Sequence, residues 1–431
     1  MMTAWASNLR PQVTTSCLVL GAMGVSLGLS VCMLMSQNSS KKPMIIPSPR
    51  ATHLPQLPTE ETSSLPYPPD ALPGARDVET PYGVIKVFEW GPEDGEKVLL
   101  LHGISTPCLS LGILGEALVE KGYRVMLFDF FGRGYSDTPT DIPFDIRLYS
   151  TQILLALASS KLPWTGNNGF HMIGYSLGGG IAVSFARYYS HMIRSLVLVA
   201  SAGLIRSEHV SRRSRILYSE GLLPENLLRW LIRRRITPQP ATTTSEAKMA
   251  SEVVAATSNS EQSAKKHHKN SDASGGDSFD NAVLSPHRPN STVSSVMAWQ
   301  VQHQQGFLTA FMSSIRHAPI YEQREDWLKL GQLLAARRKS PGADEGAGAE
   351  PLPGLLGGKI LLILGSTDPV IVKEELIHDA TSVLGEDGFK AVVMDGGHEI
   401  VMTKGKEVAG LAAGFWSQSW MTWAQGKNHC I

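Results

Sequence analysis

Three rhythms of hydrophobic and polar positions divide the chain. The first is an unbroken apolar run, CLVLGAMGVSLGLSVCMLM, from Cys17 to Met35, after a short tail of residues 1–16. It carries no charge and comes close to the roughly 20 residues a helix needs to cross a bilayer core, so it predicts a transmembrane anchor. A cleaved signal peptide competes with that reading. Its apolar region usually has about 7–15 residues, and no small-x-small cleavage site follows Met35. Arg10 on one side and Lys41 with Lys42 on the other leave the orientation open. Residues 36–76 are rich in Pro, Ser and Thr without any period, and predict a flexible linker.

The second rhythm begins near Val78. VETPYGVIKVFEW alternates polar and apolar residues around a glycine and predicts paired strands. Short continuous apolar runs follow: KVLLLHG (Lys97–Gly103), YRVMLFDF (Tyr123–Phe130), GFHMIGYS (Gly169–Ser176) and RSLVLVASA (Arg194–Ala202). Helical stretches separate them, to about Lys121, over Phe144–Ser160 and to about Tyr189. Such runs are strands buried on both faces, and the alternation predicts an α/β fold with a mostly parallel, doubly wound sheet. Ligands of such sheets lie beyond the carboxyl ends of the strands.

The alternation stops near Gly203 and resumes near Lys359. The third rhythm lies between. A basic amphipathic helical segment is expected over Arg212–Arg235, a disordered Ser/Thr/Ala/Gly/His-rich insert over about 237–295, and another helical stretch over Val296–His317, with a loose piece at Ser340–Gly358. KILLILG (Lys359–Gly365), FKAVVMDGG (Phe389–Gly397) and a last helix, Val408–Trp423, complete the sheet. The chain thus divides into a first core part (77–203), an inserted helical segment (204–357) and a second core part (358–425).

Composition removes several functions. Lys plus Arg and Asp plus Glu both number 39, so no net field draws the chain to nucleic acid, and no basic run is interleaved with aromatics. The four cysteines, Cys17, Cys32, Cys108 and Cys430, form no CxxC pair and no zinc-spaced Cys/His cluster. No cofactor or metal is expected.

What remains is nucleophilic chemistry. Gly174-Tyr175-Ser176-Leu177-Gly178 is a GxSxG motif at the end of one expected strand and the start of the next expected helix. A sharp turn there strains the serine, and only Gly174 and Gly178 let the chain pass closely on both sides. A serine hydroxyl needs a base to take its proton, and the base needs a third group to fix its tautomer. Asp368 follows the strand Lys359–Gly365, and His398 follows the next strand through a Gly-Gly turn. The order Ser, Asp, His fits this architecture. Of 13 histidines only His398 has that position, while Asp395 and Glu399 read as strand-end or surface charges. Two backbone donors are expected for the oxyanion: the N–H of Leu177 and the N–H of Ile104, with Gly103 allowing close approach and His102 holding the loop.

With these residues the chain resembles the α/β-hydrolase superfamily from about Val78 to Trp423. The likeness rests on His102-Gly103 after a strand, on GRGYSD (Gly132–Asp137) after Asp129, on the elbow at Ser176 and on the Asp368/His398 pair. It implies that residues 204–357 form a helical cap over the active site. It also sets Ser176 apart from epoxide hydrolases and dehalogenases, which carry an aspartate at the elbow. The apolar face of the cap, Val296, Trp299, Phe307 and Phe311, either contacts acyl chains or packs on the core.

The expected activity is a membrane-tethered serine hydrolase of carboxylic esters, of the esterase or lipase kind, with lipophilic or acylglycerol-type substrates. The same triad also serves carbon–carbon, thioester and amide cleavage, and one fold hosts many chemistries. An inactive relative acting as an interaction scaffold would show a broken triad, and every element is present here. The expected location is a single-pass endomembrane protein, or a secreted one if the apolar segment is cleaved.

Overall fold

The structure, a computed structural model, describes residues 44–165, 169–209, 218–219, 225–236, 276–339 and 354–428. The expected anchor at 17–35 and residues 237–275 of the expected insert lie outside the described residues. No helix among the described residues is long and apolar enough to cross a membrane.

Eight strands form one sheet: β1 (Ala75–Val78), β2 (Ile85–Trp90), β3 (Lys97–Leu101), β4 (Arg124–Phe128), β5 (Phe170–Tyr175), β6 (Ile193–Val199), β7 (Ile360–Gly365) and β8 (Phe389–Met394). Their order is β8-β7-β6-β5-β3-β4-β2-β1. Only β2 pairs antiparallel, with β1 on one side and β4 on the other; every other neighbour is parallel. The apolar runs are explained by position. Every residue of β5 and β7 is buried, because helices cover both faces there. On the edge strand β8 only Met394 is buried. Register aligns the strand tips, with Leu101 beside Gly174 and Tyr175 beside Val199, so the loops after β3, β5 and β6 emerge at one level.

The longer helices are α1 (Gly112–Glu120), α2 (Ile146–Ala158), α3 (Leu177–Tyr189), α4 (Glu225–Ile236), α5 (Val293–His303), α6 (Phe307–His317), α7 (Arg324–Lys339), α8 (Lys373–Leu384) and α9 (Gly405–Asn428). Among them α1 packs with α9, and α3 with both α2 and α7. The inserted segment closes on itself at its base. Gly203 N–H donates to the Ile320 carbonyl (2.8 Å), and Gln323 N–H donates to the Gly203 carbonyl (2.7 Å). Beyond that clasp α7 returns to the sheet layer, where Asp326 bonds Ser184 and Arg187 of α3.

Three expectations are corrected. The segment from Met44 to residue 76 is an ordered arm, not a flexible linker. Ile45–Ile46 pairs antiparallel with Thr138–Pro139, and Tyr67 is fully buried, donating to Asp129 at 3.0 Å. Burial of such groups offsets the ordering entropy that a Pro/Ser-rich stretch would otherwise keep. Second, residues 276–295 of the expected disordered insert are ordered. A short helix at Gly276–Asp280 precedes a bridge between Val283 and Thr292, and Thr292 and Ser295 cap α5 reciprocally. Third, the expected helical stretch Val296–His317 is interrupted and forms two helices, α5 and α6. Gln304 leaves the helical region (ψ 94°) and turns its amide to the Gly134 and Ser136 carbonyls, at 3.3 and 2.8 Å. Gly306 then passes so close to Thr138 that any Cβ would collide with it.

Candidate active site

The loop after β5 begins at Ser176, whose φ of 52° and ψ of −120° place a non-glycine residue in strained backbone. The surroundings hold it there. Its N–H donates to the Val199 carbonyl (3.1 Å), and its own carbonyl accepts from Gly179 (2.9 Å) and Ala202 (3.0 Å). The flanking glycines are needed sterically: a Cβ on Gly174 would strike the Gly178 carbonyl, and one on Gly178 would strike the Leu101 carbonyl. Ser176 stands immediately before α3, so the unpaired N–H groups of that helix start lie at its side.

The structure brings the three separated residues into one chain of hydrogen bonds. His398 Nε2 lies 3.0 Å from Ser176 Oγ, and His398 Nδ1 lies 2.8 Å from Asp368 Oδ2. The second carboxylate oxygen of Asp368 accepts the N–H groups of Val370 (2.8 Å) and Ile371 (2.9 Å), which fix its rotation. His398 is 5% exposed and Asp368 8%, so the relay is shielded from bulk water. An aspartate held this way selects the tautomer with the proton on Nδ1 and leaves Nε2 to accept from the serine.

The loop after β3 lies beside the elbow, with Gly103 packed against Tyr175 and Ser176. Phe130 N–H donates to His102 Nε2 (2.9 Å), so the ring proton sits on Nδ1 and is donated to the Gly103 carbonyl (2.7 Å). Burial pushes the pKa of His102 from 6.5 down to about 3, which keeps the imidazole neutral. The Gly103 carbonyl and the Ile104 N–H belong to one peptide, and the described chain has no cis bonds. In a trans peptide these two groups point in opposite directions. His102 therefore turns the Ile104 N–H away from itself, and that N–H has no acceptor among the described residues.

Several residues that the sequence did not single out brace this arrangement. Arg133, fully buried, donates from Nε to the Ile104 carbonyl (2.8 Å) and from Nη2 to Ser314 of α6 (3.0 Å). Gln300 of α5 accepts from Gly134 N–H (2.9 Å) and donates to the Ser105 carbonyl (2.9 Å). These buried bonds dock α5 and α6 onto the loops around the elbow. The phenol of Tyr175 reaches the His398 carbonyl, and the ring of Phe279 stands 5.9 Å from the imidazole. Glu399 is buried, not a surface charge, and accepts from Gly397 N–H at 3.0 Å. In the inserted segment Val296, Trp299, Phe307 and Phe311 are buried in packing: Trp299 lies against Tyr67 and Tyr135, and Phe307 beneath the Arg133 guanidinium. Among the described residues no cluster of His, Cys, Asp and Glu could hold a metal ion.

With this geometry in place, comparison with known proteins is decisive for the family. The model of the alpha/beta hydrolase fold matches residues 97–405, from β3 to the start of α9. The chain belongs to the alpha/beta hydrolase family. The chain is 31% identical over 121 residues to a serine hydrolase-like protein of Dictyostelium discoideum, a match covering 28% of this chain and 32% of that protein. A serine hydrolase-like protein of Danio rerio is 30% identical over 129 residues, covering 30% of this chain and 38% of its own length. The matches thus span about a third of the length of these relatives. The crystal structure of a membrane phospholipase A, a bacterial virulence factor, aligns over 94% of this chain and 97% of its own, with a TM-score of 0.51 and 16% identity, which supports the shared fold.

Proposed function

We propose that this hydrolase is a membrane-tethered serine esterase that cleaves carboxylic esters of lipophilic, acylglycerol-type substrates through an acyl-enzyme. The observation that carries the reading is the unbroken relay Ser176–His398–Asp368 built on a strained elbow. His398 Nε2 takes the proton as Ser176 Oγ forms a bond to the ester carbonyl carbon. The resulting oxyanion is met by the N–H groups of Ile104 and Leu177. Such preorganised donors contribute about 10²–10³ in rate each. The intermediate collapses, the C–O bond to the alcohol breaks, and the alcohol leaves with the proton from His398. A water activated by the same imidazole then releases the acid, so protein groups and water run every step.

The lipophilic and membrane parts of the reading rest on the apolar segment 17–35, since an anchored domain meets bilayer-borne esters at raised local concentration. The names of the serine hydrolase-like relatives agree with the chemistry. Fluorophosphonate labelling of the full chain that disappears in Ser176→Ala is the expected result; labelling that survives the substitution overturns the serine assignment. A series of esters of rising acyl length tests the substrate class, and preference for short, water-soluble esters counts against it. Alkaline carbonate extraction should leave the protein in the membrane fraction, as a single-pass endomembrane protein; release into the supernatant removes the anchor.

A further inference from the structure

The helix α4, ENLLRWLIRRRI, has two unlike faces. Leu228 and Ile232, one turn apart, are fully buried against the cap. Its start is fixed to α6 by Arg316, which bonds the Glu225 carboxylate at 2.9 Å. The opposite stripe runs through Leu227 and Trp230, 43% and 55% exposed, to Arg234 at the helical spacings i, i+3 and i+7. Among the tryptophans whose burial is described, Trp230 is the exposed one: Trp90 is half-buried, and Trp164, Trp299, Trp327 and Trp416 are buried. The Arg234 guanidinium stands 5.8 Å over its ring, and Arg233 is exposed beside it. The helix sequence holds four arginines and one acid.

An outward leucine and tryptophan bordered by arginines match the interface of a bilayer. There an indole sits at headgroup level and each cation gains from anionic lipid. We infer that the outer face of α4 is a membrane-contacting surface for bilayers with anionic headgroups, which seats the cap on the surface that holds the substrate. This rests on the proposed lipophilic ester substrate and deepens it. It adds a second, headgroup-selective contact to the one expected from residues 17–35.

The test uses the full chain reconstituted in vesicles of phosphatidylcholine alone or with about a third phosphatidylserine. Hydrogen–deuterium exchange of the peptide spanning 225–236 should slow roughly fivefold or more in the anionic vesicles relative to the neutral ones. Leu227→Ser with Trp230→Ser, and separately Arg233→Gln with Arg234→Gln, should lower hydrolysis of a long-chain ester in anionic vesicles roughly tenfold. Both variants should keep wild-type turnover of a short soluble ester. Equal exchange in the two vesicles, or vesicle rates unchanged in both variants, overturns the inference. Slowing that appears on concentrating the protein in lipid-free detergent overturns it as well, because the occupant is then protein. If no ester is turned over by any form, the proposed function fails, while the exchange measurement still decides α4.

Discussion

The phenol of Tyr175 donates to the backbone carbonyl of His398 across 3.0 Å, so the residue before the nucleophile holds the loop of the base. Both groups are buried, and the two rings stand 5.2 Å apart. The separation of Ser176 from His398 Nε2 is thus fixed by the side chain of the elbow's own neighbour. Tyr175→Phe keeps the ring and removes the bond. We expect a loss of about 1–2 kcal/mol in stability and a fall in kcat of roughly tenfold with KM little changed. Steady-state kinetics beside thermal melts checks this; a kcat equal to wild type would show that the loop holds itself.

Asp368 is expected to act on rate, not on binding. Asp368→Asn keeps the shape but favours the wrong imidazole tautomer, and kcat should drop by about 10⁴ with the fold intact. Single-turnover acylation with an aryl ester measures it. A drop of only a few-fold would transfer the role to another carboxylate, with the buried Glu399 the first to examine.

His102 shapes the acid limb of stability. With a pKa of 6.5 lowered to about 3 by burial, the unfolded chain binds a proton between those values that the folded chain refuses. Stability is therefore full above 6.5 and falls as the pH drops toward 3, by about 1.4 kcal/mol per unit for this group. In His102→Gln that part of the slope should vanish. Denaturant melts of both proteins across the window test it, and parallel slopes would remove His102 as the cause.

Gln304→Ala leaves the Gly134 and Ser136 carbonyls without their amide partner where the inserted segment meets the loop after β4. A cost of about 1–3 kcal/mol is expected, read as a lower midpoint in urea. A change below about 0.5 kcal/mol would mean that α5 and α6 are held by apolar packing alone.

The parallel strands and the relay were legible because they depend on local pattern. Strands covered on both faces must be continuously apolar, and the reacting groups sit just past strand ends that the same runs mark. The break between α5 and α6 was not legible, since Gln304 and Gly306 answer to Gly134, Ser136 and Thr138, far back in the chain. Residues 44–76 lack periodicity for the same reason: Tyr67 is ordered by Asp129, and Ser48 by Asp137. Glu399 looked like a surface charge because nothing nearby in sequence signals that its carboxylate folds back onto Gly397. The second position of the GxSxG motif admits any residue, so the reach of the Tyr175 phenol to the His398 carbonyl is not written in the motif.

The arm also has a mechanical meaning. Tension on the chain ahead of Ile45 would load the short ladder between Ile45–Ile46 and Thr138–Pro139 in shear, together with the bond from Ser48 N–H to Asp137 (2.8 Å). The bond to Asp137 ends in the loop from Gly132 to Asp137 and the ladder ends on the two residues that follow it; Arg133 of that loop donates to the Ile104 carbonyl. A pull applied at Ile45 is thus carried through a few hydrogen bonds to the loop after β3, which lies beside Ser176.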